Sequence, residues 1–257
     1  MDQIYKHPKR KTKVVFVQLG SPSAPTTSAL RKYLRDFLGD PRVIDINPWI
    51  WKLILNFFVL PFRPQKSAKL YKRIWDGESF PLITNTRDFT KHVSEELAKI
   101  DPQGYVEVNH AFLLSPPYVN EVYDSWENDL KKGIGATKLL VIPMFPQYSE
   151  STIASGIDAL AKELSKRVKI PTFEVITNFH RTHAFIDNSV SQVDKKLIEL
   201  KKQGKKIDNL IITFHGMQKR RIVNKGDDYY RHCYETFCLI TSRLKNINPK
   251  KCKMSFQ

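Results

Sequence analysis

A unit of strand, polar loop and helix recurs along this chain, and it limits the fold more than any other feature. Short runs of β-branched and aliphatic residues predict strands, and each run ends in a polar or glycine-containing loop. Strands are predicted at residues 13–19, 105–111, 138–144, 172–176 and 210–214, with a last one from 253. Helices are predicted after Thr26 or Thr27 and at 118–132, 151–164, 184–203 and 230–244. The alternation is typical of an α/β protein with parallel sheets and right-handed crossovers.

The strand at residues 210–214 runs directly into a histidine and a glycine, His215 and Gly216. In open α/β sheets the carboxyl ends of the strands are where ligands bind. An imidazole there can act as a base, as a metal ligand or as a core residue bonded to the backbone. Gly216 would admit close approach by a flat or bulky group. The following run, residues 219–221, is basic, so we expect polar surroundings.

The excess of positive charge predicts an acidic partner. The formal net charge is +16, from 42 Lys and Arg against 26 Asp and Glu. Nucleic acid, an anionic membrane and a small carboxylate are the three candidates. No zinc-finger spacing, single-strand-binding aromatic motif or basic helix with heptads is present, and the lysines are spread as pairs along solvated faces. We therefore do not expect a nucleic-acid partner.

The apolar segment at residues 48–62 has the most unusual composition. It is shorter than the ~20 residues that a spanning helix needs, and Lys52 and Asn56 interrupt it. It is either a core helix that is apolar all round or a hydrophobic lip that holds a large flat ligand or rests on a membrane. Basic residues follow it directly: Arg63, Lys66, Lys69, Lys72 and Arg73. Cations beside an apolar lip suit an amphiphile with acidic groups at one end.

The cysteines and the remaining histidines give weaker signals. Cys233, Cys238 and Cys252 are an odd number, and no apolar leader accompanies the basic residues Lys6, Lys9, Arg10 and Lys11. We expect free thiols in a reducing cytosol. His180 and His183 have a metal-compatible spacing but no third ligand nearby, so surface or capping roles are expected. His110 ends a strand and either faces a cleft or is a partly buried, hydrogen-bonded residue.

Five motifs, taken together and in order, resemble the ferrochelatase family from about Val14 to Gln257. They are Gly20-Ser21-Pro22, Phe37-Leu38-Gly39-Asp40-Pro41-Arg42-Val43, Pro146-Gln147-Tyr148-Ser149, His215-Gly216 and Lys225-Gly226-Asp227-Asp228-Tyr229. The resemblance implies two Rossmann-like halves with a macrocycle in the cleft between them. We predict residues 1–155 as an N-terminal domain with the lip at 48–62, and 156–257 as a truncated C-terminal domain that carries His215.

The same resemblance implies a reaction and a set of site residues. Family members insert ferrous iron into a porphyrin in haem biosynthesis, and their invariant histidine corresponds to His215, as proton acceptor, metal ligand or both. Arg63 and Lys66 match positions that contact propionates, and Tyr71 matches an aromatic position. Tyr148, Ser149 and Tyr229 match pocket motifs. The substrates are Fe(II) and a porphyrin; no cofactor and no iron–sulfur cluster are expected in this form. We expect a cytoplasmic protein, with peripheral membrane contact through 48–62 as an alternative.

Departures from the family pattern give a second hypothesis beside the chelatase, which stays the leading one. Phe80 stands where the family usually has serine, Leu113 where it often has arginine, and Gln218 where proline is usual. Leu113 removes a cation that would pair a carboxylate, and Phe80 is expected to reshape the pocket rim. The family's C-terminal glutamate falls after Gln257, so we expect weak or no activity from this 257-residue form. The alternatives are a degenerate porphyrin- or haem-binding relative and a cobalt or nickel chelatase.

Overall fold

The computed structural model describes residues 11–132 and 136–257. They pack into two units, Met1–Met144 with Glu150–Thr177 and Phe145–Ser149 with Asn178–Gln257. The predicted domain boundary between residues 155 and 156 stays a prediction. The basic residues Lys6, Lys9 and Arg10 lie outside the described residues.

The first unit is a parallel four-stranded sheet with six helices. Its strands are β1 (Thr12–Gln18), β2 (Val106–Phe112), β3 (Lys138–Pro143) and β4 (Thr172–Val175), in the order β2-β1-β3-β4. Its helices are α1 (Thr27–Leu38), α2 (Pro48–Ile54), α3 (Arg63–Tyr71), α4 (Pro81–Ile100), α5 (Val119–Lys131) and α6 (Ser155–Leu164). A π-helical turn, Glu150–Ala154, leads into α6. The predicted α/β class with parallel sheets is confirmed.

Burial explains why these segments form these elements. Val14 to Val17 of β1 are all buried, as in a central strand covered on both faces. Val15 and Val17 pack with Trp126 of α5 and Leu160 of α6 in the main core cluster. Thr26 caps α1 by accepting a hydrogen bond from the Ala29 N–H over 3.3 Å, as predicted for that position.

The second unit contains two strands and three helices. They are α7 (His183–Lys202), β5 (Leu210–Phe214), α8 (Lys219–Lys225), α9 (Tyr229–Arg243) and β6 (Cys252–Phe256). The predicted terminal strand is therefore present, and β6 pairs with β5 in parallel. Leu210 and Ile212 pack against Ile186 of α7, Ile240 of α9 and Leu244, the residue that follows α9. Ile211, on the opposite face of the sheet, is 62% exposed.

The apolar segment at residues 48–62 is neither a fully buried core helix nor a fully exposed lip. It forms α2 and a π-helical continuation, Leu55–Val59. Leu55 and Leu60 are buried against α1, and the Trp51 Nε1–H donates to the Leu38 carbonyl over 2.7 Å. The other side is exposed: Trp49, Ile50, Leu53, Phe57, Phe58 and Phe62. Within the described residues, no helix combines the length and apolarity needed to cross a membrane.

Candidate active site

His215 directly follows β5, at the carboxyl end of the second unit's sheet, as predicted. Backbone pairing with the neighbouring strand continues past it. The Gln257 N–H donates to the Phe214 carbonyl over 3.1 Å, and the Gly216 N–H donates to the Gln257 carbonyl over 2.6 Å. The main chain is therefore fixed on both sides of His215, while its side chain is exposed. A fixed backbone with an accessible imidazole is what a reacting group requires.

Gly216 is needed for a reason that was not predicted. A Cβ at this position would lie 2.8 Å from the carbonyl oxygen of Gln257. The group that the added Cβ would meet is thus the chain's own backbone, and close approach by a ligand stays a prediction. The basic run also differs from expectation, because Lys219 and Arg220 are exposed but Arg221 is 3% exposed.

Tyr229, in the first turn of α9, lies beside the backbone of His215 and the thiol of Cys233, and both neighbours affect the pKa of its phenol. Burial, followed by the neighbouring Cys233, raises the pKa of Tyr229. Burial also raises the pKa of Cys233 to about 11. Both groups are therefore neutral at physiological pH, so the histidine backbone has an uncharged neighbour on this side.

A tight turn places Tyr229. Gly226 ends α8 in the left-handed conformation with φ of +69°, which other residues rarely adopt. The buried Asp227 then accepts a hydrogen bond from the Tyr229 N–H over 2.8 Å. This local geometry explains the Gly-Asp-Asp-Tyr order in the sequence.

The segment Phe145–Ser149 belongs to the second unit and carries Tyr148 and Ser149. The Phe179 N–H donates to the Pro146 carbonyl over 3.0 Å, and the Tyr148 N–H donates to Nδ1 of His232 over 3.1 Å. Ser149 is buried. The backbone N–H of Phe179 and the ring of His232 thus fix this segment.

His180 and His183 differ in their surroundings. His183 is exposed at the start of α7, as predicted. His180 is 3% exposed, and its Nε2 lies 2.8 Å from Oε2 of Glu235, so the surface role expected for His180 was wrong. Its ring stacks on that of His232, with centroids 3.9 Å apart. Across the described ranges, no group of three or more His, Cys, Asp or Glu is arranged to hold a metal ion.

The first unit carries the other predicted binding residues. Arg63 and Lys66 are exposed on α3, and Tyr71 ends that helix half-buried. Tyr71 packs edge to face against Phe80, with ring centroids 5.5 Å apart, and against Tyr33 at 6.2 Å. Burial, then Tyr71, raises the pKa of Tyr33. Phe80 is 1% exposed, so it supports Tyr71 from within the core and does not line an open rim.

Two further strand-end positions lie in the first unit. His110, in β2, is half-buried, and burial followed by the charge of Arg87 lowers its pKa, so this imidazole is neutral near pH 7. Leu113, just after β2, packs against the main core cluster. An apolar residue in that place contributes to packing and leaves no cation there.

Comparison with known proteins identifies the family to which this chain belongs. A sequence model described as Ferrochelatase matches residues 11–257. The chain belongs to the ferrochelatase family. Similar ferrochelatases include one from Idiomarina loihiensis, 38% identical over 234 residues, covering 91% of this chain and 61% of the relative. The Marinobacter nauticus protein is 34% identical over 90% of this chain and 60% of its own length.

A third relative, the ferrochelatase of Francisella tularensis subsp. tularensis, is 33% identical over 99% of this chain and 73% of its own length. The chain spans about three fifths of the length of the first two relatives. The resemblance drawn from the five motifs is thus confirmed for the family.

Within this ferrochelatase-family chain, the sequence interpretation missed residues that hold the site residues in place. His232 and Thr236 were not singled out, although they lie one turn apart on α9 and contact residues 147 and 148. Their helical spacing of four was the available signal. No pattern in the sequence pairs them with the distant segment Phe145–Ser149.

Proposed function

We propose that the protein inserts ferrous iron into a porphyrin, with release of two protons, as a step of haem biosynthesis. Family membership and relatives named Ferrochelatase support this function. The observation that carries it is His215, an exposed imidazole whose two chain neighbours, Phe214 and Gly216, are both paired with the backbone of Gln257.

The chemistry of the reaction matches an imidazole in this setting. Two pyrrole N–H protons must leave as the metal enters, and neutral imidazole accepts a proton or binds Fe(II) near neutral pH. His215 is proposed for either role or for both in turn. Binding a distorted macrocycle exposes the nitrogen lone pairs and lowers the barrier further.

The porphyrin's carboxylates are proposed to bind Arg63 and Lys66. The two cations lie one helical turn apart on α3, and both are exposed. Neither forms an ion pair with any residue in the ranges 11–132 and 136–257. Tyr71 at the end of the same helix is proposed to offer an aromatic surface, and Tyr148, Ser149 and Tyr229 to line the pocket.

We also propose peripheral contact with the cytoplasmic face of a membrane. The exposed aromatic and aliphatic side chains of residues 48–62 lie next in sequence to the cations of α3. Apolar side chains beside basic residues are typical of segments that bind anionic lipid surfaces. No cofactor is proposed beyond the two substrates, and no nucleic-acid partner is proposed.

The function is tested with the complete gene product, purified and given Fe(II) and protoporphyrin or coproporphyrin under anaerobic conditions. The loss of free-porphyrin absorbance, with the matching appearance of haem, measures insertion. The proposal expects enzyme-dependent metallation and saturable porphyrin binding. Tight porphyrin binding without metallation would instead support the degenerate binding relative, and faster turnover with cobalt or nickel would support a different chelatase.

A further inference from the structure

His232 lies at the centre of the contacts that hold the segment Phe145–Ser149. The Tyr148 N–H donates to its Nδ1 over 3.1 Å. A nitrogen that accepts a hydrogen bond carries no proton, so the neutral ring has its proton on Nε2. His232 is 5% exposed, which leaves water little access to replace this bond.

Neighbouring contacts hold the same segment at the two preceding residues. The Gln147 Nε2 donates to the Thr236 hydroxyl over 3.1 Å, and that hydroxyl donates to the His232 carbonyl over 2.8 Å. The Phe179 N–H donates to the Pro146 carbonyl. Residues 146, 147 and 148 are therefore each anchored, and of these three bonds the one to His232 involves a group that titrates near neutral pH.

A second histidine fixes the plane of the first. The His180 ring stacks on His232 with an angle of 19° between the planes. Glu235 holds His180 through Nε2, while Nδ1 of His180 is buried and makes no hydrogen bond with the residues that the structure describes. A ring bonded at one nitrogen only can act as a packing surface for its neighbour.

We propose that His232 is a positioning residue for Tyr148 and Ser149 and that it acts only as the neutral imidazole, with His180 and Glu235 holding its orientation. Protonation would replace the acceptor at Nδ1 with a donor that faces the Tyr148 N–H. The segment would then lose its anchor next to two proposed pocket residues. This inference rests on the proposed function, because Tyr148 and Ser149 matter only if they line a porphyrin site.

The charges around His232 set the pH range of this effect. They come from α9 and from the segment before α7: Asp228, Arg231, Glu235, His180 and Arg181. Burial, then His180 and Arg231, lowers the pKa of His232, against a smaller opposing effect of the two carboxylates. Folding therefore favours the neutral ring. The anchored arrangement is fully present above about pH 6.5, the ordinary histidine pKa, and it is lost as the pH falls through the lower pKa of His232 in the folded protein.

The test compares three variants of the complete gene product with the unaltered protein. His232→Asn keeps an acceptor near the Nδ1 position and does not titrate, His232→Phe keeps the ring volume without an acceptor, and His183→Asn is the control at an exposed histidine. With ¹⁵N-tyrosine labelling, hydrogen exchange of the Tyr148 amide is followed from pH 5.5 to 8, together with porphyrin affinity.

We expect the Tyr148 amide of the unaltered protein and of His183→Asn to lose protection as the pH falls, beyond the intrinsic pH dependence of exchange. His232→Asn should remove this extra pH dependence. His232→Phe should expose the amide at every pH and raise the porphyrin Kd by about tenfold, since the Tyr148 N–H loses the acceptor that His232 supplies. If His232→Phe does not fold, the pH dependence of Tyr148 amide exchange in the unaltered protein and in His232→Asn still tests the proposal.

An amide whose protection and pH dependence are the same in the three variants and the unaltered protein would overturn the positioning role. The exchange measurement needs no porphyrin. A protein that shows the expected exchange but binds no porphyrin would therefore contradict the proposed function and leave the role of His232 in holding the segment intact.

Discussion

The phenol of Tyr229 faces the backbone of His215, which lowers the pKa of that phenol against the larger effect of burial. This contact lies between the first turn of α9 and the carboxyl end of β5, next to the imidazole that is proposed to react. A catalytic group held within a fraction of an ångström by its supporting residues keeps a productive geometry.

Replacing Tyr229 with phenylalanine tests this link. The Tyr229→Phe variant keeps the ring but loses the hydroxyl that faces His215 and Cys233, and we expect a loss of about 1 kcal/mol in unfolding free energy. Iron insertion should fall by about tenfold in kcat, since 1.4 kcal/mol corresponds to one decade. Thermal unfolding and steady-state assays measure both. Tyr230→Phe, at an exposed neighbour, is the control; equal effects in the two variants would refute the link.

A methyl group at Gly216 tests the pairing that fixes the other side of His215. Gly216→Ala would place a Cβ 2.8 Å from the backbone carbonyl of Gln257, and we expect destabilisation of about 1–3 kcal/mol in chemical denaturation. Gly156→Ala, inside α6 with no atom near the added Cβ, should instead be neutral or stabilising by about 0.5–1 kcal/mol. Tolerance of alanine at 216 would argue against the close backbone pairing.

Neutralising the α3 cations tests carboxylate recognition. Arg63→Ala and Lys66→Ala should each raise the porphyrin Kd by about threefold to tenfold, because an exposed charged contact contributes about 0.5–1.5 kcal/mol. The same variants should bind the porphyrin dimethyl ester with unchanged affinity. Fluorescence titration measures the Kd, and Lys195→Ala on α7 controls for net charge. A similar loss with the ester would rule out recognition of carboxylates.

The exposed side of residues 48–62 tests the membrane proposal. Trp49→Ser and Phe58→Ser remove two side chains that are 78% and 69% exposed, so folding should be little affected. Sedimentation with vesicles containing anionic lipid should show binding that falls by about tenfold in the double variant, and weaker binding to neutral vesicles. Lys91→Ser on α4 is the matched surface control. Equal sedimentation of all forms would contradict the proposal.

Local chemistry explains which parts of the fold could be read from the sequence. Runs such as residues 13–19 and 210–214 are β-branched and end in polar loops, so they predicted β1 and β5 closely. The helix α4 was not predicted, because Thr84, Thr86 and Thr90 lower helix propensity along a segment that nonetheless begins with Pro81 in the first turn. Buried Thr86 and Thr90 bond the carbonyls one turn back, which the sequence alone does not reveal.

The residues of the candidate site also include some that the sequence could predict and some that it could not. Motif positions such as His215 and Tyr229 could be predicted, because they sit at strand and helix ends with recognisable turn residues. The roles of His180, Glu235 and His232 could not, since they depend on contacts between residues more than fifty positions apart. Gly216 shows the same limit: its need for a small residue was clear, but the neighbour that imposes it, Gln257, depends on the pairing of β5 with β6.

Replacing His215 with alanine separates iron insertion from porphyrin binding. In the complete gene product, His215→Ala should abolish measurable insertion of Fe(II) into porphyrin while leaving porphyrin affinity within about twofold, since the backbone pairing around it stays intact. His183→Ala, at an exposed histidine of the same unit, should retain full activity. An insertion rate in His215→Ala equal to that of the unaltered protein would contradict the account.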